Sequence, residues 1–211
     1  MIELLKIVPA FALTALILVA IPGQGVAMVL RQSLIGGKRA ALFSVLGNST
    51  GLVIWGAASA IGLSAIFAKS HLAFNILKYC GVLTLLVMAI QTLFHLRKQF
   101  GKFDITGSAE TKPGGAYRLG LITNLTNVKA AVYAVAFIPQ FVPREFPLGP
   151  GIFLLALVQT CVSFSWYFSM ISAVQYFSEV LSKPKVRRTL TGISAFGLLI
   201  LAIGLVFTKP R

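Results

Sequence analysis

The sequence has few acidic residues and few of the side chains that build metal and redox sites. Its 211 residues include five aspartates and glutamates, two cysteines and two histidines. With so few of these groups and no visible cluster of them, we predict that the protein is not an enzyme and carries no metal and no cofactor. Cys80 and Cys161 stand alone in predicted helices without CxxC spacing, so we predict two small core residues rather than a redox pair.

Charge is scarce as well, whereas apolar residues are abundant. Charged residues make up 11% of the chain and hydrophobic residues 57%, a composition typical of a protein that lies in a bilayer. Six stretches come close to the roughly 20 apolar residues that a spanning helix needs. They cover residues 4–30, 40–67, 79–96, 119–142, 148–177 and 190–207. The sequence therefore predicts an all-α integral membrane protein with six transmembrane helices.

The lysines and arginines predict its orientation. Most of them fall in the connections after the first, third and fifth predicted helices, and short loops rich in these residues stay in the cytoplasm. Both termini are therefore predicted to lie outside. The net charge of +14 fits attraction to anionic lipid. Nucleic acid is not an expected partner, because no stripe of basic and aromatic residues is present.

A glycine-rich linker at residues 98–116 divides the chain into two halves, residues 1–97 and 117–211. Three helices in each half give the halves opposite orientations, which is the inverted-repeat architecture of many transporters. Each half begins with an interrupted helix, at Pro22, Gly23 and Gly25 in the first and at residues 124–127 in the fourth. We expect Pro139 to mark a further break or gate. A proline kink with polar contacts between helices is the simpler alternative.

Lys129 is the most informative single residue, because it lies inside the fourth predicted span. A charge at membrane depth costs a few kcal/mol or more, so it normally faces a polar cavity or a partner. It is about 16 Å along a helix from Arg118, too deep to reach the cytoplasmic surface easily. We interpret it as a substrate-binding residue. A structural lysine whose ammonium reaches water or backbone carbonyls is the alternative.

Short motifs in order along the chain resemble a known family. Residues 22–25 read PGQG, where the family has PGPN, and residues 31–37 include an arginine followed by two glycines. Residues 77–81 read LKYCG, 120–130 read GLITNLTNVKA against G-x-x-x-N-x-x-NPKA, and 137–142 read FIPQFV against F-x-PQF. Over residues 19–142 the chain thus resembles the LysE/RhtB amino-acid exporters. The resemblance implies a bacterial inner-membrane protein that moves amino acids or similar small metabolites outward, driven by the proton gradient.

Two departures from the family pattern bear on the substrate. The family's aspartate in the second helix corresponds to Leu52, and the proline of its NPK motif corresponds to Val128. No acidic residue falls at membrane depth, so we predict neutral zwitterions such as homoserine, threonine or leucine rather than basic amino acids. A structural or regulatory protein that has lost transport is the alternative function.

In the transport hypothesis Lys129 attracts the substrate carboxylate, helped by amide groups at a half-helix that Asn127 caps and that opens at Val128. Uncharged donors and acceptors come from four side chains: Gln24, Asn48, Asn124 and Asn127. Proton coupling must then use Lys129, the substrate or water.

In the second helix Gly47, Gly51 and Gly56 predict close helix packing, and this small-residue face is where we expect a homodimer to form. A polar and aromatic cluster between Gln159 and Tyr167 either lines the path or bonds a neighbouring helix.

Overall fold

The computed structural model describes residues 2–20, 23–67, 71–98, 109–174, 176, 179–180 and 183–207, and every regular element among them is helical. The all-α prediction is therefore confirmed. In chain order the elements are α1 (Ile2–Ala20), α2 (Gln24–Arg31), a π-helical turn (Gln32–Gly36), α3 (Gly37–Phe67), α4 (His71–Lys98), α5 (Pro113–Leu125), α6 (Val128–Val132), a second π-helical turn (Tyr133–Phe137), a 3₁₀ helix (Ile138–Phe141), α7 (Leu148–Ser172) and α8 (Pro184–Val206).

Two helical runs among the described residues are long and apolar enough to cross a bilayer, Gln24–Gly62 and Leu148–Ser172. The bent pair formed by α5 and the run Val128–Phe141 makes a third if it counts as one span. Within the first run the backbone departs from helical geometry at Gly37, whose φ of 84° lies in the region that favours glycine. The complete arrangement of six spans in two repeats stays a prediction.

Both predicted helix interruptions are present. Helix α1 ends at Ala20 and α2 begins at Gln24, although Pro22 itself lies outside the described residues. Helix α5 ends at Leu125, and the helical run that begins at Val128 is bent by 57° relative to it. After each break, the new half-helix leads into a π-helical turn, a local distortion frequently found at functional sites.

Helix α3 lies at the centre of the packing, against α5 on one side and α7 on the other, while α4 packs on α8 and α1 on α7. Glycines permit the closest approaches. A methyl group on Gly47 would collide with the backbone carbonyl of Tyr117, and one on Gly120 with the carbonyl of Ser44. Helices α3 and α5 therefore meet backbone to backbone, as small residues allow in membrane proteins.

The small-residue face of α3 is thus filled from within the chain. Gly51 lies under the carboxamide of Asn124, and Gly56 lies under the methyl group of Ala156 in α7. The prediction that these glycines serve close helix packing is confirmed. The expectation that the same face joins two copies is wrong, because α5 and α7 already cover it. Homodimerisation by any other surface stays a prediction.

A proline explains a hydrogen bond that ties α3 to the second half. In the π-helical turn the carbonyl of Ala134 would accept from the backbone N–H five residues later, and that residue is Pro139, which has no N–H. The hydroxyl of Ser59 in α3 donates to this carbonyl instead, at 2.8 Å. Pro139 is buried in the 3₁₀ helix, and its effect in the structure is to free a carbonyl.

The last part of the predicted linker is fixed to the residue that follows α2. The side-chain amide of Gln32, which is fully buried, donates to the carbonyl of Glu110 at 3.2 Å and accepts from its N–H at 3.1 Å. Helix α5 then begins at Pro113, four residues before the predicted second half. Most of the linker, residues 99–108, lies outside the described residues.

The prediction that both cysteines are core residues is wrong. Cys80 on α4 and Cys161 on α7 are exposed. The prediction applied the rule for a soluble protein, in which a thiol is normally buried. The outer surface of this bundle is itself rich in large apolar side chains, with Leu83 on α4 63% exposed and Phe168 on α7 49% exposed. An exposed thiol on this surface therefore lies among apolar side chains. Burial in the core would not move it to a more apolar environment.

Candidate functional site

A small cavity lies where the two helix breaks meet. Residues from the first break, Gly23 and Gly25, line it together with residues from the second, Asn127 and Lys129. Helix α3 contributes Asn48 and Leu52, and α7 closes the opposite side. Six of the predicted site residues therefore lie together: Gly23, Gly25, Asn48, Asn124, Asn127 and Lys129.

Lys129 is positioned by the cap of its own half-helix. The side chain of Asn127 accepts from the backbone N–H of Lys129 at 3.1 Å, which confirms the predicted start of the half-helix at Val128. The ammonium of Lys129 donates to the carbonyl of Leu18 in α1, at 3.1 Å. That carbonyl is free because its partner in a continuous helix would be residue 22, a proline.

This contact has a second favourable term. Leu18 lies in the last turn of α1, where unpaired carbonyls concentrate negative partial charge. A lysine ammonium there stabilises the end of α1 and is itself partly desolvated. The structural alternative for Lys129, an ammonium bonded to a backbone carbonyl, is thus present together with the cavity position expected of a binding residue. An ammonium has three N–H donors, and Leu18 provides the single acceptor within the described part of the chain.

Asn48 and Asn124 form a buried pair between α3 and α5. The amide of Asn124 donates to the side-chain oxygen of Asn48 at 3.1 Å, and its backbone carbonyl accepts from the indole of Trp55 at 3.4 Å. The side-chain oxygen of Asn124 is buried, and no group in the described residues donates to it. A buried acceptor without a donor costs about 1–3 kcal/mol. A donor brought within reach of this oxygen would remove that cost.

Helix α7 supplies three cavity residues from one face: Gln159, Ser163 and Tyr167. Their spacing of four residues places them on one stripe of the helix. The ring of Tyr167 lies against Gly25, and its hydroxyl occupies the space that a side chain at Gly25 would need. The polar cluster of α7 is thus divided: this stripe lines the cavity, whereas Thr160 bonds the carbonyl of Ala156 in its own helix and Ser165 is exposed.

The cavity contains no carboxylate among its described lining residues. Leu52, at the position of the aspartate in the resembled family, is buried in the wall and contributes only methyl groups. The cavity has a volume of about 30 Å³, enough for about two water molecules. An amino acid does not fit without an outward movement of a wall, so the structure is a closed state of this site.

Three predicted residues lie elsewhere or outside the described residues. Gln24 points to the other side of α2, into a separate recess. Pro139 lies in the 3₁₀ helix beyond the second π-helical turn and does not line the cavity. Pro22 is not among the described residues.

Sequence reasoning did not identify the carbonyl of Leu18, although the missing N–H of Pro22 pointed to it. It left Tyr167 undecided, although the four-residue spacing along α7 was a usable signal.

Comparisons with known proteins agree with the early resemblance. The homoserine/homoserine lactone efflux protein of Salmonella typhimurium is 29% identical over 203 residues, which cover 96% of each chain. An uncharacterised membrane protein of Bacillus subtilis, YrhP, is 25% identical over 203 residues, covering 93% of this chain and 95% of the relative. No solved structure matches this chain. The profile of the LysE type translocator family matches residues 16–209, and the chain therefore belongs to this family of membrane translocators.

Proposed function

We propose that the protein exports neutral zwitterionic amino acids, resembling homoserine, threonine or leucine, across the cytoplasmic membrane of a bacterium. The observation that carries this proposal is the ammonium of Lys129 in a cavity between two helix breaks, where no described carboxylate neutralises it. The relatives named as homoserine and homoserine lactone efflux proteins support a solute of this size and charge.

The solute carboxylate binds Lys129 in this proposal. Leu18 uses one of the three N–H donors of the ammonium, so the other two are left for an incoming oxygen anion. A hydrogen bond between charged groups contributes about 1.5–3 kcal/mol. The ammonium of the solute then needs neutral hydrogen-bond acceptors. One candidate is the side-chain oxygen of Asn124, which accepts no hydrogen bond from the described residues.

The same cavity disfavours a basic amino acid. Such a solute carries a second positive charge, and the wall position where the resembled family has an aspartate is occupied by Leu52. A buried charge without a partner is disfavoured by several kcal/mol. Lysine and arginine are therefore excluded by a missing anion rather than by size alone.

An inverted repeat accounts for the packing. If α1 and α2 correspond to α5 and α6, α3 to α7, and α4 to α8, the pairs α3 with α7 and α4 with α8 each map onto themselves. The contact of α3 with α5 then corresponds to that of α7 with α1. Both breaks border the cavity, as in transporters that rock two repeats around one site. The basic residues of the connections support the proposal that both termini lie outside.

A proton gradient is the proposed driving force. Coupling through the protein itself uses a cavity group that takes up and releases a proton, and Lys129 and Tyr167 are the described cavity side chains with an ionisable group. We assign the role to Lys129. It would exchange its proton with water on one side of the membrane and bind the solute carboxylate, as an ammonium, on the other.

Two substitutions at Lys129 separate solute binding from proton coupling. Lys129→Met removes the charge but keeps the length of the side chain. Lys129→Arg keeps the charge, and arginine does not release its proton in proteins. The assay uses inverted membrane vesicles with radiolabelled homoserine, threonine or leucine, and measures solute exchange without a gradient and proton-driven accumulation. Exposed Lys38 is replaced by glutamine as the matched control.

We expect Lys129→Met to reduce both activities at least about tenfold, the effect of losing 1.4 kcal/mol or more. We expect Lys129→Arg to retain exchange and lose proton-driven accumulation. If Lys129→Met exports normally, the lysine is only structural and the proposal for the site is wrong. If the unaltered protein moves none of the three amino acids, the alternative of a structural or regulatory protein is favoured.

A further inference from the structure

A second polar recess lies on the opposite side of α2 and α5 from the cavity. It has a volume of about 290 Å³ and therefore has room for a small solute, unlike the closed cavity. Its polar lining residues are Gln24 and Arg31 from α2, Thr123 from α5 and Thr126 directly after α5. Polar side chains at these positions are unusual on the face of a helix pair that contributes exposed Ile122 and Leu125 to the outer surface.

The recess and the cavity share one thin wall. Gln24 lines the recess, whereas its neighbours Gly23 and Gly25 line the cavity. On the second break, Thr123 and Thr126 line the recess, whereas the next residues, Asn124 and Asn127, line the cavity. Consecutive residues of both breaks thus point alternately to the two spaces.

Arg31 is the reason to assign a ligand to the recess. Its Nε is buried, and no acceptor for it exists in the part of the chain that the structure describes. A guanidinium is always charged and presents donors that match the two oxygens of a carboxylate. No described acidic side chain lines the recess. The nearby Glu110 is held through its backbone by Gln32, and its carboxylate lies against Gly115.

We infer that this recess is an entry subsite that binds the carboxylate of the solute at Arg31 before the solute reaches Lys129. The inference rests on the proposed function and adds a second binding position to it. Gln24 is seven residues from Arg31, or about 10 Å along α2. An amino acid held by Arg31 therefore extends toward the amide of Gln24 and the hydroxyl of Thr123, at the level of the helix break.

A lipid phosphate is the other oxygen anion that Arg31 can bind. A lipid in this recess would lay its acyl chain along Gln24, Thr123 and Thr126. Hydrocarbon cannot satisfy the hydrogen bonds of Gln24 and Thr123, whereas the ammonium and side chain of an amino acid can. The hydroxyl of Thr126 already donates to the carbonyl of Ile122. The polar inner end of the recess therefore favours the small solute.

The test compares Arg31→Gln and Arg31→Lys with Lys38→Gln, a control at an exposed lysine of the next helix. Transport of labelled homoserine, threonine and leucine is measured in inverted and in right-side-out vesicles, so that each membrane face supplies the solute in turn. We expect Arg31→Gln to raise KM about tenfold from one face only, with the maximal rate within about twofold, and Arg31→Lys to restore most of the affinity.

A separate label reports occupancy directly. Thr123→Cys is made in a chain whose exposed Cys80 and Cys161 are serine, and its reaction with a charged maleimide is followed with increasing homoserine. We expect homoserine to slow the reaction in that chain and to slow it less when Arg31 is also glutamine.

Several outcomes would overturn the subsite. If the unaltered protein transports and Arg31→Gln leaves both KM values unchanged, or changes them equally from both faces, the subsite is absent and the proposed function stands. If the effect of Arg31→Gln appears with added phosphatidylglycerol but not in vesicles of phosphatidylcholine alone, the occupant is a lipid headgroup. If the unaltered protein transports none of the three amino acids, the proposed function fails, and the subsite fails with it.

Discussion

Replacing Gly25 with alanine tests how the cavity is closed. The Cβ of an alanine there would lie 3.1 Å from Cζ of Tyr167 and still closer to its hydroxyl oxygen. Both residues are buried, Tyr167 being 6% exposed, and the cavity beside them has a volume of only about 30 Å³, so the ring can move only a short way. Overpacking of a buried site costs about 1–3 kcal/mol. We expect Gly25→Ala to lower the free energy of unfolding by about 2 kcal/mol, near the middle of that range.

A second substitution makes the prediction specific. Tyr167→Phe removes the oxygen atom that meets the new methyl group first. Alone it should lower stability by less than about 1 kcal/mol, because no hydrogen bond of this hydroxyl is present among the described residues. Combined with Gly25→Ala, it should recover about half of the loss, since Cζ remains at 3.1 Å. The coupling free energy is then about 1 kcal/mol, within the range for residues in contact.

The assay is thermal unfolding of the purified protein in detergent, with all four members of the double-mutant cycle side by side. For a chain of about 200 residues, 1 kcal/mol corresponds to about 2–4 °C in Tm. Gly25→Ala should therefore unfold about 4–8 °C lower, and the double variant should regain several degrees. Additive effects of the two substitutions would refute the contact, and Tyr167 would then not close the cavity over Gly25.

Three other predictions follow from contacts described above. Gly120→Ala should lower Tm by several degrees because its methyl group meets a backbone carbonyl of α3, whereas Gly62→Ala, with nothing within 4 Å, should not; equal melting curves for the two variants would contradict the close approach. Ser59→Ala should cost about 1 kcal/mol by leaving a buried carbonyl unpaired, measured as a loss of about 2–4 °C in Tm, and an unchanged Tm would count against that bond. Leu52→Asp puts a carboxylate in the wall that Lys129 also lines, so export should shift from neutral toward basic amino acids in a competition assay; a retained preference for neutral solutes would argue against selection by charge.

Local signals in the sequence predicted the helix breaks correctly. Asn127 caps the half-helix at Val128 as expected, because an asparagine before an apolar helical run is decided by a few neighbouring residues. The position of Lys129 at a cavity was also predictable, since the cost of a charge in hydrocarbon is a general property of bilayers. These inferences needed no knowledge of tertiary packing.

The surroundings of other residues could not be predicted, because they depend on the rotation of each helix about its axis and on which helices pack together. Gln24 was expected at the cavity, but its neighbours Gly23 and Gly25 line it instead, because successive residues of a helix point in different directions. The glycines of α3 were correctly assigned to packing, but their partners are α5 and α7 of the same chain rather than a second copy. The sequence shows that one face of a helix has small residues. Which helix packs on that face depends on how all the helices are arranged.

Two prolines each leave a backbone carbonyl without its helical N–H donor, and the replacement donors are synthesised at different times relative to those carbonyls. The carbonyl of Leu18 lacks its helical N–H because residue 22 is proline, and its donor, Lys129, is made 111 residues later, roughly ten seconds at usual translation rates. The carbonyl of Ala134 lacks its N–H donor because residue 139 is proline. Its replacement donor, Ser59, is synthesised earlier and is already in the membrane when Ala134 is made. We therefore expect water to hydrogen-bond the carbonyl of Leu18 until the fourth predicted span is inserted, so that the nascent chain is hydrated at the place where the finished protein has its cavity.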